Sequence, residues 1–250
     1  MNVYKLIIAY NGSLFKGWQT QTTNPNTAQE FLTENLKIVL NNTDLHLYGA
    51  SRTDAGVHAS YQVVKLEIDQ DVHSTNTLRG FNQRCGDRIK IMGLEKVSSS
   101  FNPLKNIVHK EYHYSFSFEI PHPLQESHIF FQREKVNISL MEKACELITG
   151  EHDFSFLSVK GSGSEDRLRE VQSCNIERFN SSIGNEVYIV KIQASGFLKY
   201  MVRMIVDALF RVGTGELSMT QLRTQLTGVK VFEPKKAKAL GLNLFFILYE

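Results

Sequence analysis

In the run "YGASRTDAGVHAS", residues 48 to 60, Arg52, Asp54 and His58 stand among the small residues Ala50, Ser51, Ala55, Gly56 and Ala59. Nothing there is bulky enough to shield the charges, so they face either water or a substrate. A carboxylate in a cleft tends to protonate through desolvation, while a guanidinium within about 4 to 6 Å pulls its pKa the other way by about 1 to 3 units. With an arginine close by, Asp54 would stay ionised and could act as nucleophile or base. An aspartate in a turn also bonds readily to the amides around it, which is a purely structural role. On these residues alone both readings stand.

A metal site is a competitor, because Asp54 and His58 are four positions apart. A metal needs three or four ligands, and no H-x-x-x-H or comparable second group joins them. The chain has no G-x-S-x-G, P-loop or G-x-G-x-x-G, which weighs against nucleophile-elbow hydrolysis, nucleotide triphosphates and dinucleotides. No cofactor is expected. In "SLFKGWQTQ", Trp18 either contacts an irregular polar surface or is a buried anchor for its loop. Tyr112 and Tyr114 are by default core residues of an alternating strand, although a tyrosine at a sheet edge can stack on a nucleobase. Along "FLKYMVRMIVDALF", Lys199, Arg203 and Asp207 recur at helical spacing. They make either a solvated stripe with an Arg203/Asp207 pair or a face that turns Arg203 inward. Lys235, Lys236 and Lys238 form the densest basic cluster, which is either a solvated face or a track for a phosphate backbone.

At 250 residues and 42% hydrophobic, the chain has enough apolar material for one domain or two modest ones. No stretch approaches the roughly 20 apolar residues that span a bilayer, and the N-terminus lacks a signal-like pattern, so a cytoplasmic protein is expected. Cys85, Cys145 and Cys174 lie far apart in sequence and read as reduced, buried hydrophobes. A net charge of +2 neither demands nor excludes a nucleic-acid partner.

Strands are expected at Val3 to Tyr10, Leu45 to Ala50, Tyr61 to Ile68 and Arg88 to Val97. Helices are expected from about Thr27 to Leu40, capped by Asn26, and from Thr75 to Arg84, capped by Ser74. The polar "SSSFNP" marks the best internal boundary. Beyond it, "EYHYSFSF" alternates strictly as a strand. "SLMEKACELITG" opens on a Ser139/Glu142 capping box and closes on Gly150. Strands near Val171 to Phe179 and Glu186 to Ala194 then lead to a helix from Phe197 to Gly213. A short helix from Met219 to Leu226 and a closing strand "NLFFILYE" follow, and "KGSGSED" reads as a flexible link. This order predicts an α+β fold of two similar α/β halves with mainly antiparallel sheets, residues 1–104 and 105–250.

The octapeptide from Arg52 to Ala59, together with "YNGSLFKGWQTQ", "FLKYMVRMIVDAL" and "GLNL", resembles the tRNA pseudouridine synthases typified by bacterial TruA. The resemblance runs from about Tyr4 to Tyr249. It implies two α/β halves with an active-site cleft between them, and a homodimer in which one tRNA touches both subunits. It further implies isomerisation of uridine to pseudouridine in the anticodon stem-loop, at positions 38 to 40, by base flipping. Asp54 matches the catalytic aspartate and Arg203 the basic residue that pairs with it. Tyr112 matches the tyrosine packed on the uracil ring, and Leu242 an apolar wall of the pocket. Arg52 matches an arginine that fills the gap left by the extruded nucleotide. The chain departs from the family pattern at Asn11 of Tyr10-Asn11-Gly12, at Asp207 and at Ala237-Lys238-Ala239.

Overall fold

The near-continuous apolar run from Val3 to Tyr10 forms a strand, β1 (Asn2–Tyr10), which buries Tyr4, Leu6, Ile8 and Tyr10 on one face. A computed structural model describes the chain except for residues 22–25, 43, 87, 160–165, 182–185, 230–231 and 233–234. The remaining elements are α1 (Ala28–Leu40), β2 (Leu45–Gly49), β3 (His58–Ile68), α2 (Ser74–Cys85), β4 (Ile89–Lys96), β5 (Ile107–Ser117) and β6 (Phe130–Phe131). They continue through α3 (Ile138–Ile148), β7 (Gly150–Asp153), β8 (Leu168–Asn180), β9 (Glu186–Ala194), α4 (Met201–Thr214), α5 (Met219–Leu226) and β10 (Leu242–Tyr249). The architecture is α+β with mostly antiparallel pairing. The short strands β6 and β7 carry no sequence signal of their own. The described part of "KGSGSED" is Asp166 alone.

The chain divides into two compact units, Met1–Ile107 with Asn243–Glu250, and Val108–Leu242. The closing strand, expected with the second half, therefore belongs with the first. The reason lies in β3, which pairs along one edge with β1. Its other edge is shared, with β2 on Val64 to Ile68 and β10 running parallel to His58 and Ala59. In the first unit the strand order is β4-β1-β3-β10, and α1 and α2 pack together there. In the second unit the order is β5-β9-β8-β7, with β6 alongside β5.

Helix starts differ from expectation wherever several cap-forming residues adjoin. Thr27, not Asn26, caps α1 by accepting the Glu30 amide, while Asn26 donates to the Leu14 carbonyl. His73 caps α2 instead of Ser74, and Asn137 caps α3, so the Ser139/Glu142 box does not form. The capping box is at Ser218 and Gln221 of α5. Helix α4 starts at Met201, later than its hydrophobic pattern suggests, because Tyr200 sits at φ 63° and ψ 2°. It ends on Gly215 at φ 84°, while Gly213 is internal, and a Cβ there would lie 2.8 Å from Val136.

Ten of its fourteen residues, among them Ile205, Leu209 and Phe210, are buried. Large apolar side chains of this kind each contribute about 1.5 to 3 kcal/mol on burial. Arg203, Asp207 and Arg211 form its less buried stripe; Lys199 lies before the helix. The cysteines are free and buried, but Cys145 and Cys174 are not isolated. The two thiols share a hydrogen bond that, with burial, raises the Cys174 pKa. Among the described residues no helix is long and apolar enough to cross a membrane.

Candidate active site

The loop from Ala50 to Val57 joins β2 to β3 and is held by backbone bonds and by inward-turned side chains. Ala50 donates its amide to Val63. The fully buried Gln62 accepts the Ser51 amide at 3.1 Å and donates to the Ser51 carbonyl at 2.6 Å. Thr53 turns inward, with its hydroxyl 2.7 Å from the Tyr10 hydroxyl and its carbonyl accepting the Trp18 amide. The Val57 amide closes the turn on the backbone carbonyl of Asp54, and Gly56 bends the chain at φ 81°. Arg52 is exposed and the Asp54 side chain is half-buried.

Two open readings are resolved by this packing. Trp18 is a buried anchor, 2% exposed and stacked on Tyr10 with ring centroids 6.0 Å apart. Gly49 lies flat on its indole, where a Cβ would come within 2.5 Å. His58 is buried, and its Nδ1 accepts the Gly12 amide at 3.2 Å, so it braces the N-terminal turn against β3. That use of Nδ1 fits neutral imidazole with the proton on Nε2. Among the described residues no group of three or more His, Cys, Asp or Glu side chains could hold a metal ion.

Gly12 is required by close approach, since a Cβ there would lie 1.9 Å from the Val57 carbonyl oxygen. Gly12→Ala is expected to lower stability by about 1 to 3 kcal/mol, the range for forcing extra volume into a packed site. A urea midpoint equal to wild type would refute this account of the turn.

In the second unit, Tyr112 of β5 is buried, opposite Ile192 of β9, with its ring edge-on to Phe197 at 5.2 Å. Two residues earlier on the strand, Lys110 is pushed down to about 8 by burial, from an ordinary 10.5. Arg203 is tied to the segment after α5 from both sides. Its Nε donates to the Ala237 carbonyl at 2.8 Å, and the Ala237 amide donates to the Arg203 carbonyl at 3.0 Å. The cations that act on Asp207 are Arg211 and Lys235, and burial raises its pKa. Arg203 is therefore not the charge that answers Asp207. A cavity of about 700 Å³ opens beside Asp207, Arg211 and Lys236.

Leu242 opens β10 and is buried. The preceding Gly241 packs directly on β5, where a Cβ would meet the Ser115 carbonyl oxygen at 2.7 Å and the Tyr114 ring at 3.0 Å. That approach is the physical reason for the glycine of "GLNL". Arg52 and Asp54 thus share one loop of the first unit, while Tyr112, Arg203 and Leu242 belong to the second. Sequence reading missed Gln62, Tyr200 and Lys110. For Lys110 the only signal was a cation on the same face of an alternating strand as Tyr112.

A family model described as tRNA pseudouridine synthase matches residues 144–250. Over almost its full length the chain is similar to tRNA pseudouridine synthase A 2 of Desulfotalea psychrophila, with 33% identity over 261 residues, 99% of this chain and 98% of that one. It is also 33% identical to tRNA pseudouridine synthase A 2 of Bacillus cereus over 87% of this chain and 86% of that one. Against tRNA pseudouridine synthase A of Streptococcus agalactiae the identity is 31%, over 100% of this chain and 96% of that one. The chain belongs to the tRNA pseudouridine synthase A (TruA) family, and its α+β architecture is that of the pseudouridine synthase fold.

Proposed function

We propose that this protein isomerises uridine to pseudouridine in tRNA, at positions 38 to 40 of the anticodon stem-loop, with Asp54 as nucleophile or base. The observation that carries the reading is family membership over nearly the full length together with an intact Arg52 to Ala59 motif. In the reaction the bond from ribose C1′ to uracil N1 breaks and one from C1′ to C5 forms. The C5 proton leaves and N1 gains one, so no redox partner is needed. The base must leave its stack, at a cost of a few kcal/mol, and the detached ring must be held while it turns.

Each residue's chemistry suits one of those demands. Asp54 supplies the carboxylate, and the Arg203 guanidinium would hold it ionised where water is excluded. Tyr112 and Leu242 would form apolar walls on the uracil, and Arg52, exposed beside the acid, would occupy the vacated stack. The acting species would be a cytoplasmic homodimer.

Tyr112→Phe keeps the ring face, so RNA affinity is expected to stay close to wild type. Tyr112→Leu should lose the roughly 1 to 3 kcal/mol that a base–aromatic stack provides. Equal losses in the two variants, read by titration with a stem-loop RNA, would argue for a hydroxyl role instead. The function as a whole is tested by mapping pseudouridine in RNA from cells with and without the gene. Loss confined to the anticodon arm supports it, and unchanged tRNA with loss elsewhere assigns another RNA.

A further inference from the structure

Tyr200 is one of three non-glycine residues with positive φ among those described, at φ 63°, and it is the only aromatic one. A bulky side chain in that region is rare enough to call for a reason, and such outliers concentrate at functional sites. The consequence here is convergence of charge. The left-handed turn sets Lys199 Nζ 5.4 Å and Arg203 Cζ 5.5 Å from the centroid of the Tyr200 ring. Far along the chain, the two-way bonding of Ala237 to Arg203 fixes the next residue back, so that Lys236 Nζ lies 4.1 Å from the same centroid. The basic cluster after α5 and the start of α4, unconnected in sequence, thus meet on one ring.

A ring face attracts a cation within about 6 Å, but it carries no net charge and cannot offset the repulsion among three of them. Lys199 and Lys236 are both exposed, and among the described residues neither forms an ion pair with a carboxylate. Ammonium groups gathered in this way suit a polyanion, whose phosphates bind lysine as a point charge. Building on the function proposed above, we propose that Lys199 and Lys236, gathered on the Tyr200 ring, form a clamp for a phosphodiester of the bound RNA next to Arg203. The tyrosine acts as a positioning residue: it presents the two ammonium groups together and limits their freedom before RNA arrives.

The test is the salt dependence of affinity for an anticodon stem-loop RNA, measured by fluorescence anisotropy on the full-length protein. The double variant Lys199→Gln/Lys236→Gln is expected to bind more weakly, with the slope of log K against log salt shallower by about 0.7 to 0.9, the release expected for one neutralised phosphate. Tyr200→Phe should keep the wild-type slope. Tyr200→Asn, which tolerates the left-handed backbone but has no ring, should move toward the double variant. Lys143→Gln, on the exposed side of α3, should leave the slope unchanged. A wild-type slope in the double variant, or an equal drop in Lys143→Gln, overturns the clamp. Pseudouridine formation is read separately. Wild-type protein that binds with a slope dependent on the two lysines but makes no pseudouridine would refute the proposed function and leave the clamp standing.

Discussion

Asp54→Asn is expected to reduce pseudouridine formation by roughly 10⁴-fold, the scale seen when a central catalytic group is removed, while the affinity for RNA is kept. The amide has the shape of the carboxylate, so the loop should hold: Thr53 stays bonded to Tyr10, Ser51 to Gln62, and the Val57 amide to the backbone of residue 54. What the amide lacks is a negative charge and a basic oxygen, and either role assigned to Asp54 needs both. The measurement follows from the reaction. Formation of the C1′ to C5 bond expels the hydrogen on C5, so RNA labelled there with tritium releases it to water once per turnover. More than a trace of release by the asparagine variant, with its melting temperature unchanged, would rule Asp54 out as the attacking or basic group.

How far the sequence disclosed this arrangement can be judged residue by residue. Strand β5 was legible because Tyr112, Tyr114 and Phe116 face a core while Glu111, His113 and Ser115 do not, and a period of two survives any tertiary context. The partner of β10 was not legible. Its pairing with His58 and Ala59 joins residues far apart in the chain, and no local pattern encodes it. The start of α4 was misplaced because apolar spacing runs through Phe197 and Leu198 without a break, while the break itself is a backbone angle at Tyr200. Helix caps were off by a residue or two where neighbours such as Asn26 and Thr27 could both accept an amide. Position relative to the first turn, not residue type, decided between them.

The site shows the same division. The loop chemistry around Asp54 is shared by ordinary turns, so only the longer motif set it apart as the catalytic candidate. The supports that make the loop rigid depend on packing: Gln62 lies outside the motif, and the bond from the Gly12 amide to His58 joins two distant stretches of it. The question of whether Asp207 would capture Arg203 also needed coordinates, since helical spacing permits that pair. The structure instead puts Arg211 and Lys235 in charge of Asp207 and gives the Arg203 Nε to Ala237.

That placement makes Arg203 the second decisive position. Arg203→Leu is expected to lower turnover by about 10²- to 10³-fold, the usual effect of deleting a preorganised charge at a reacting centre. The loss has a sign that can be checked. An arginine paired with an aspartate favours the ionised acid and lowers its pKa, so removing the guanidinium raises that pKa and moves the acid limb of the pH–rate profile upward by about 1 to 3 units. Activity of the leucine variant should therefore recover in part at higher pH, which a purely structural defect would not do. Leucine also removes the Nε bond to Ala237 and loosens the segment that carries Lys236. Arg203→Lys separates the two effects: it keeps a cation but lacks the planar group that reaches the Ala237 carbonyl. If charge on Asp54 is the main role, the lysine variant keeps the wild-type acid limb and much of the turnover. If anchoring Ala237 is the main role, lysine and leucine variants fail alike with unshifted profiles, and the pairing of Arg203 with Asp54 must be given up.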